Sequence, residues 1–190
     1  MRKHSERCKE CKVRVFELLV KIYGQENVLE NHNLQLPNKV EQFKPNDLNP
    51  NLENIFHQLQ KYREHAEFVR SKRLPNVDYF VKDKFILEFD ESQHFTKPRL
   101  LALENYSDKL SLGYKKEKWM ELCEKLNKKD NDPPFRDEQR AWYDTLRDFA
   151  PTFLGIKPTI RLFASDYVWC SLDANKKDDI EIFKELIGQK

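Results

Sequence analysis

Asn76-Val-Asp-Tyr-Phe-Val81 and Phe85-Ile-Leu-Glu-Phe-Asp90 are two short apolar runs separated by Lys82-Asp83-Lys84 and followed by Glu91-Ser-Gln-His94. Runs of this length and alternation read as a β-hairpin. With the three-residue loop Val81 faces Phe85, and every other pair must keep the same sum, so Asp78 falls opposite Glu88. Opposed residues share a face with Cβ atoms roughly 5 Å apart, and successive residues alternate faces. Asp78, Glu88 and Asp90 therefore line one side, after the Phe80 and Ile86 pair. Val77, Tyr79, Val81, Phe85, Leu87 and Phe89 line the other, which reads as the face packed on helices. The loop lacks glycine, but Asp83 tolerates the left-handed conformation a three-residue turn needs. Opposed like charges destabilise a sheet, and a hard divalent cation bridging them removes the penalty. A solvated acidic edge explains the same residues without a metal.

The remainder of the chain bounds what such a site serves. At 190 residues it is long enough for a substantial core, and one domain spanning 1–190 is the simplest count. Residues 1–70 read as a helical N-terminal elaboration, 71–171 as the core and 172–190 as a C-terminal helix. No run approaches the ~18 apolar residues of a membrane span, and the charged start does not resemble a signal peptide, which points to a soluble, cytoplasmic protein with no membrane partner. Only four glycines are present and none forms a phosphate-cradling loop, so nucleotide binding by a P-loop is excluded. The net charge of +2 requires any nucleic-acid footprint to come from local clustering.

Periodicity predicts helices on both sides of the hairpin. Ser5 caps a first helix to Tyr23, with Val13, Phe16, Leu19, Val20 and Tyr23 as its buried stripe. Residues 25 to 50 form an irregular excursion with a short strand at Asn33 to Leu36. A second helix from about Leu52 to Val69 buries Leu52, Ile55, Phe56, Leu59 and Tyr62. Thr96 caps a helix through Leu103, Lys115 to Lys128 makes another, and Asp132-Pro-Pro134 opens a third from Phe135 to Phe149. Pro158 to Phe163 and Tyr167 to Ser171 read as closing strands, and Asp178 to Leu186 as a last helix. In the Phe135 helix, Trp142, Leu146 and Phe149 form a stripe that should dock on the sheet. Arg136, Arg140, Tyr143 and Arg147 form another, suited either to solvent, with local pairing to Asp137 and Asp144, or to phosphate, for which the guanidinium fork is well shaped.

Val77-Asp78-Tyr-Phe-Val, Phe85-Ile-Leu-Glu88-Phe-Asp90-Glu-Ser-Gln93-His94, Arg136-Asp137-Glu-Gln-Arg140 and Gly155-Ile-Lys-Pro-Thr-Ile-Arg-Leu-Phe163 together resemble the very-short-patch-repair-like endonuclease domains of the PD-(D/E)XK superfamily. The resemblance covers about residues 70 to 165. It implies an α/β fold with a restriction-endonuclease-like core, a mixed central sheet of about four strands flanked by helices, and an extra helical N-terminal region. It further implies that Asp78 and Glu88 bind a catalytic Mg²⁺ or Mn²⁺ with Asp90 assisting, that Gln93 and His94 flank the scissile phosphate, and that Arg140 is the helix arginine. The sequence departs from that pattern in three places. Pro75 stands three residues before Asp78, Glu91 replaces a glycine, and Asp90 occupies the position where the superfamily expects lysine. Activation of water then falls to the metal, to Gln93 or His94, or to a lysine from elsewhere in the fold.

The expected function is metal-dependent hydrolysis of phosphodiesters, most simply those of DNA, with a homodimer or the proteins of a restriction or repair system as partners. Candidate phosphate contacts are Arg73, Lys97, Arg99, Arg136 and Arg140, with Lys72, Lys115, Lys116 and Lys118 also basic. The alternatives are a catalytically silent nucleic-acid-binding module of the same fold and a zinc-stabilised interaction protein. Zinc enters through Cys8-Lys-Glu-Cys11, whose spacing suits a metal, with His4 four residues earlier and Cys170 as a further ligand. Cys123 sits within a helix at a spacing that implies burial.

Overall fold

In the computed structural model, which describes residues 8–188, the hairpin forms in the register that loop length demands. Strand β2 (Val77–Val81) pairs antiparallel with β3 (Phe85–Asp90) through Val81–Phe85, Phe80–Ile86 and Tyr79–Leu87. Asp83 takes φ 56°, the left-handed turn that releases the chain from β2. β1 (Val28–His32) is antiparallel to the other edge of β2, and β4 (Ile160–Phe163) is parallel to β3. The result is an α/β arrangement around a mixed four-stranded sheet in the order β1-β2-β3-β4.

Helices cover both faces. On one side α1 (Lys9–Tyr23) and α6 (Lys177–Leu186) pack on Tyr79, Val81, Phe85, Leu87 and Phe89, the apolar face expected of the hairpin. On the other lie α2 (Asn49–Tyr62), α3 (Lys97–Glu104), α4 (Lys116–Leu126) and α5 (Arg136–Leu154), whose own core contains Leu52, Ile55, Leu59, Trp142, Leu146 and Phe149. Thr96 caps α3 as predicted, its hydroxyl accepting from the Arg99 amide at 3.2 Å.

Several local readings change in the folded chain. The first strand is Val28–His32, upstream of the predicted Asn33 to Leu36, because it needs β2 as a template and carries too little alternation of its own. Tyr167 to Ser171 is no strand; it ends in a short helical turn, Trp169–Ser171, which seats Trp169 in the core. α1 buries Cys11, Val15, Leu18 and Leu19, leaving Val13 52% exposed, so its stripe is rotated from the one expected. The predicted cap Ser5 lies outside the described residues. α2 stops at Tyr62, and Glu64 takes φ 60° where the chain turns away. Val77 packs with Ile86 and Ala150 instead of with Tyr79, because the ladder between β2 and β3 ends at Tyr79–Leu87 and the alternation of faces ends with it.

α5 runs five residues beyond the predicted Phe149, through Pro151, to Gly155 at φ 67°. Proline has no amide to offer the carbonyl four residues earlier. That carbonyl belongs to Arg147, and the buried Thr159 hydroxyl donates to it at 2.6 Å. Thr159→Val should therefore cost about 1–3 kcal/mol, the desolvation penalty of an orphaned acceptor. In a Pro151→Ala background, where an amide is restored, chemical denaturation should show a clearly smaller cost. Equal costs in both backgrounds would contradict this account.

Candidate active site

Past the Tyr79–Leu87 pair, the two strands exchange side-chain bonds in place of ladder bonds. The Phe89 amide donates to Asp78 Oδ2 at 2.8 Å, and the Asp78 amide donates to Glu88 Oε1 at 3.2 Å. Each carboxylate is thus held against the other's strand. They face different layers: Asp78 reaches α1, where Lys12 Nζ donates to Oδ1 at 3.1 Å, whereas Glu88 lies under α5 with its Oε2 3.4 Å from Arg147 Nε. Lys12 is itself anchored, since its carbonyl accepts from the Tyr79 hydroxyl at 2.8 Å.

The electrostatics of the pair are uneven. Glu88 is 3% exposed, and burial pushes its carboxyl up to about 8, opposed by Arg147 and reinforced by Asp78. Burial works against the Lys12 ammonium, but Asp78, then Glu91 and Glu88, outweigh it and leave Lys12 above its ordinary value. Arg147 also donates to Asp144 Oδ1 (3.2 Å) and to the Asn76 carbonyl (3.0 Å). Its Nε is buried without a hydrogen-bond partner, the Glu88 contact lacking hydrogen-bond geometry.

Asp90 departs from the expected three-carboxylate centre. It is buried, with both oxygens taken by Arg161 (2.8 and 3.0 Å) and one also accepting from Trp119 Nε1 at 2.7 Å. Arg161 further donates to Asp148 Oδ1 at 2.8 Å and to the Asp144 carbonyl at 3.0 Å. Asp90 therefore anchors a buried ion network. Its grouping with His94 and Asp144, whose ligand atoms lie within 4.8 Å of one another, is already supplied with a cation by Arg161.

His94 Nδ1 lies 2.9 Å from Asp144 Oδ2 and 3.7 Å from Asp90 Oδ1. Burial disfavours the imidazolium, yet Asp144 and then Asp90 more than compensate and raise His94 above its ordinary value. His94 lines a surface hollow of about 260 Å³ with Arg136, Gln139, Arg140, Tyr143 and Arg147. Arg140 donates to the Gln93 carbonyl (3.0 Å) and to Asp130 (2.9 Å), and lies 3.6 Å from Asp137. Gln93 itself donates to Glu91 at 3.3 Å. The arginine stripe of α5 thus borders the site. Contrary to expectation, the stripe of Trp142, Leu146 and Phe149 docks on the neighbouring helices, with Trp142 edge-on to Phe56 and Phe149 edge-on to Tyr106. It is the charged stripe of Asp144, Arg147 and Asp148 that meets the sheet.

The candidate phosphate contacts separate by exposure. Arg73 and Lys97 are exposed, and Arg73 bonds Gln35. Arg99 is 1% exposed, donating to Asp148 at 2.7 Å and to the Tyr106 and Tyr114 hydroxyls, so it is a core ion and not a phosphate contact. The sequence reading missed Lys12, Arg161 and Asp148 as participants around the site. For Asp148 a signal existed, because Asp137, Arg140, Asp144, Arg147 and Asp148 recur at three- and four-residue spacing on one helical stripe. Arg161 lies within the Gly155–Phe163 motif string, but nothing there marks its partners, and nothing local marks Lys12.

Cys8, Cys11 and Cys170 come together as the sequence anticipates, with Sγ atoms within 4.8 Å of one another, while Cys123 is buried separately in α4. His4 lies outside the described residues. Among the described residues, no helix is long and apolar enough to cross a membrane. Comparison with known proteins returns no matching family model, no similar curated protein and no similar solved structure.

Proposed function

We propose that the protein is a Mg²⁺- or Mn²⁺-dependent endonuclease with a restriction-endonuclease-like core, acting on DNA. The observation that carries this reading is the parted end of the hairpin: Asp78 and Glu88 are held against each other's strands, and Glu88 meets Arg147, which lines the hollow with His94, Arg136 and Arg140. The donor set suits a hard cation. Two carboxylates are adjacent, and one is driven towards protonation by burial and by the other's charge, a cost that a divalent ion relieves. Bound by Asp78 and Glu88, such an ion would polarise the phosphoryl group and lower the pKa of a coordinated water.

The remaining work falls to side chains of this chain. Arg136 and Arg140 offer planar donors to the phosphate backbone across the hollow. His94, whose imidazolium form Asp144 favours at 2.9 Å, would donate to the leaving oxygen. Lys12 supplies the positive charge beside Asp78 that the residue after Phe89 does not, acting as the lysine from elsewhere in the fold. Gln93, through its carbonyl, positions Arg140.

A second reading has its own support. Lys12 and Arg147 already give Asp78 and Glu88 a cation each, which fits a silent nucleic-acid-binding module. Supercoiled plasmid with Mg²⁺ or Mn²⁺ separates the two. The nuclease reading expects nicking or linearisation by wild type, loss of it in Asp78→Ala, and a fall of about 100-fold in Lys12→Met with DNA retention unchanged, the scale of a lost charged donor. Uncut plasmid that wild type nevertheless retains, with retention weakening steeply as salt rises, would establish the silent module instead.

A further inference from the structure

We infer that Cys8, Cys11 and Cys170 form a three-thiolate site for a soft divalent cation of the zinc class, closing the start of α1 onto the Trp169–Ser171 turn. The thiols come from opposite ends of the chain, yet their sulfur atoms lie within 4.8 Å of one another. Zinc holds thiolates at about 2.3 Å, which in a tetrahedron separates them by about 3.8 Å, so shifts of an ångström or less would bring all three to one ion. No disulfide links any of the three.

The setting favours thiolates held by a metal. Cys8 is the N-cap of α1 and Cys11 is on its first turn, whose amide donates to the Cys8 carbonyl at 3.1 Å. Both therefore sit at the positive end of the helix dipole, where anionic sulfur is stabilised. Cys11 is 1% exposed whereas Cys8 and Cys170 are half-buried, so the cluster has an apolar floor and a side through which an ion can enter. Around the cluster Trp169 packs edge-on to Phe89, and Val15, Leu18 and Leu172 share the same core.

The position has a consequence for the carboxylate pair. Lys12 follows Cys11 directly, and its ammonium bonds Asp78. A metal that locks the first turn of α1 would fix the backbone from which Lys12 reaches the site; this last step rests on the nuclease reading, whereas the metal site stands without it.

Purified protein, grown with zinc and desalted, should carry about one zinc per chain by elemental analysis. Apo protein prepared with chelator and reductant should, on adding Co²⁺, develop the intense thiolate-to-cobalt charge-transfer absorption and the visible bands of a tetrahedral sulfur-rich site, and its thermal midpoint should rise. Cys11→Ser and Cys170→Ser should lose both signals; Cys123→Ala, whose thiol lies elsewhere, should keep them. Wild-type protein that shows no charge-transfer band with excess Co²⁺, or a Cys170→Ser variant that loads as wild type does, would overturn the site. None of these signals depends on DNA cleavage, so a loaded but inactive protein would refute the nuclease reading and leave the metal site intact.

Discussion

Glu88→Gln is expected to make the protein more stable at pH 9 and, on the nuclease reading proposed above, to abolish metal-dependent cleavage. Glu88 is buried, and burial raises its carboxyl from the ordinary range to about 8. A carboxyl whose folded-state pKa lies above its unfolded value contributes stability that is complete below the unfolded value and is lost as pH rises through the folded one. Here the loss runs from about pH 4.5 to about pH 8. At about 1.4 kcal/mol per pH unit, that interval is worth a few kcal/mol at most. Glutamine keeps an oxygen for the Asp78 amide and has no proton to lose. It also leaves Arg147 with Asp144 and the Asn76 carbonyl. Thermal melts should therefore show the variant above wild type at pH 9, with the gap closing towards pH 5. If Asp78 and Glu88 hold the cation as proposed, cleavage should fall by at least about 100-fold on loss of one ligand. A variant that melts below wild type at pH 9 would show that the contact with Arg147 outweighs the cost of burying the charge. Retained cleavage would remove Glu88 from the metal set.

Arg161→Met should be the most damaging single change in the core. Arg161 is 3% exposed and is the shared partner of Asp90 and Asp148, with Asp144 Oδ1 at 3.7 Å. Methionine fills much of the volume but strands three buried carboxylates with fewer cations, and breaking a buried pair in this way costs about 3–5 kcal/mol. For a chain of this size the thermal midpoint should drop by roughly 6–20 °C. Arg161→Lys should recover little of it, because an ammonium cannot serve Asp90 and Asp148 with the separate arms of a guanidinium. Adding Asp90→Asn to Arg161→Met should restore part of the loss by removing one stranded charge, at the expense of the Trp119 contact to an ionised oxygen. If Arg161→Met melted within a few degrees of wild type, the network would be incidental to stability.

Both expectations concern residues whose partners lie far away in the chain, and that is where the sequence ceased to be informative. By strand alternation the sequence puts Asp90 on the face of Glu88, as a third metal ligand. Alternation says nothing about Arg161 on a parallel strand, which enters only after α3, α4 and α5 have crossed over. Arg99 looked like a surface cation on a short helix and proved to be a core ion, since Asp148 and two tyrosines converge on it from other elements. Lys12 carries no motif; packing of α1 on the hairpin brings it to Asp78.

The sequence by itself determined the hairpin, its register, the left-handed Asp83, the Thr96 cap and the apolar face from Tyr79 to Phe89. Each of these follows from loop length, alternation and backbone preferences within about ten residues, where chain connectivity leaves few alternatives. Only the tertiary structure decided which charges are buried, which cation each carboxylate meets and where the hairpin strands part. Those outcomes depend on desolvation and on distances between elements, and both come into existence only when the layers close over the sheet.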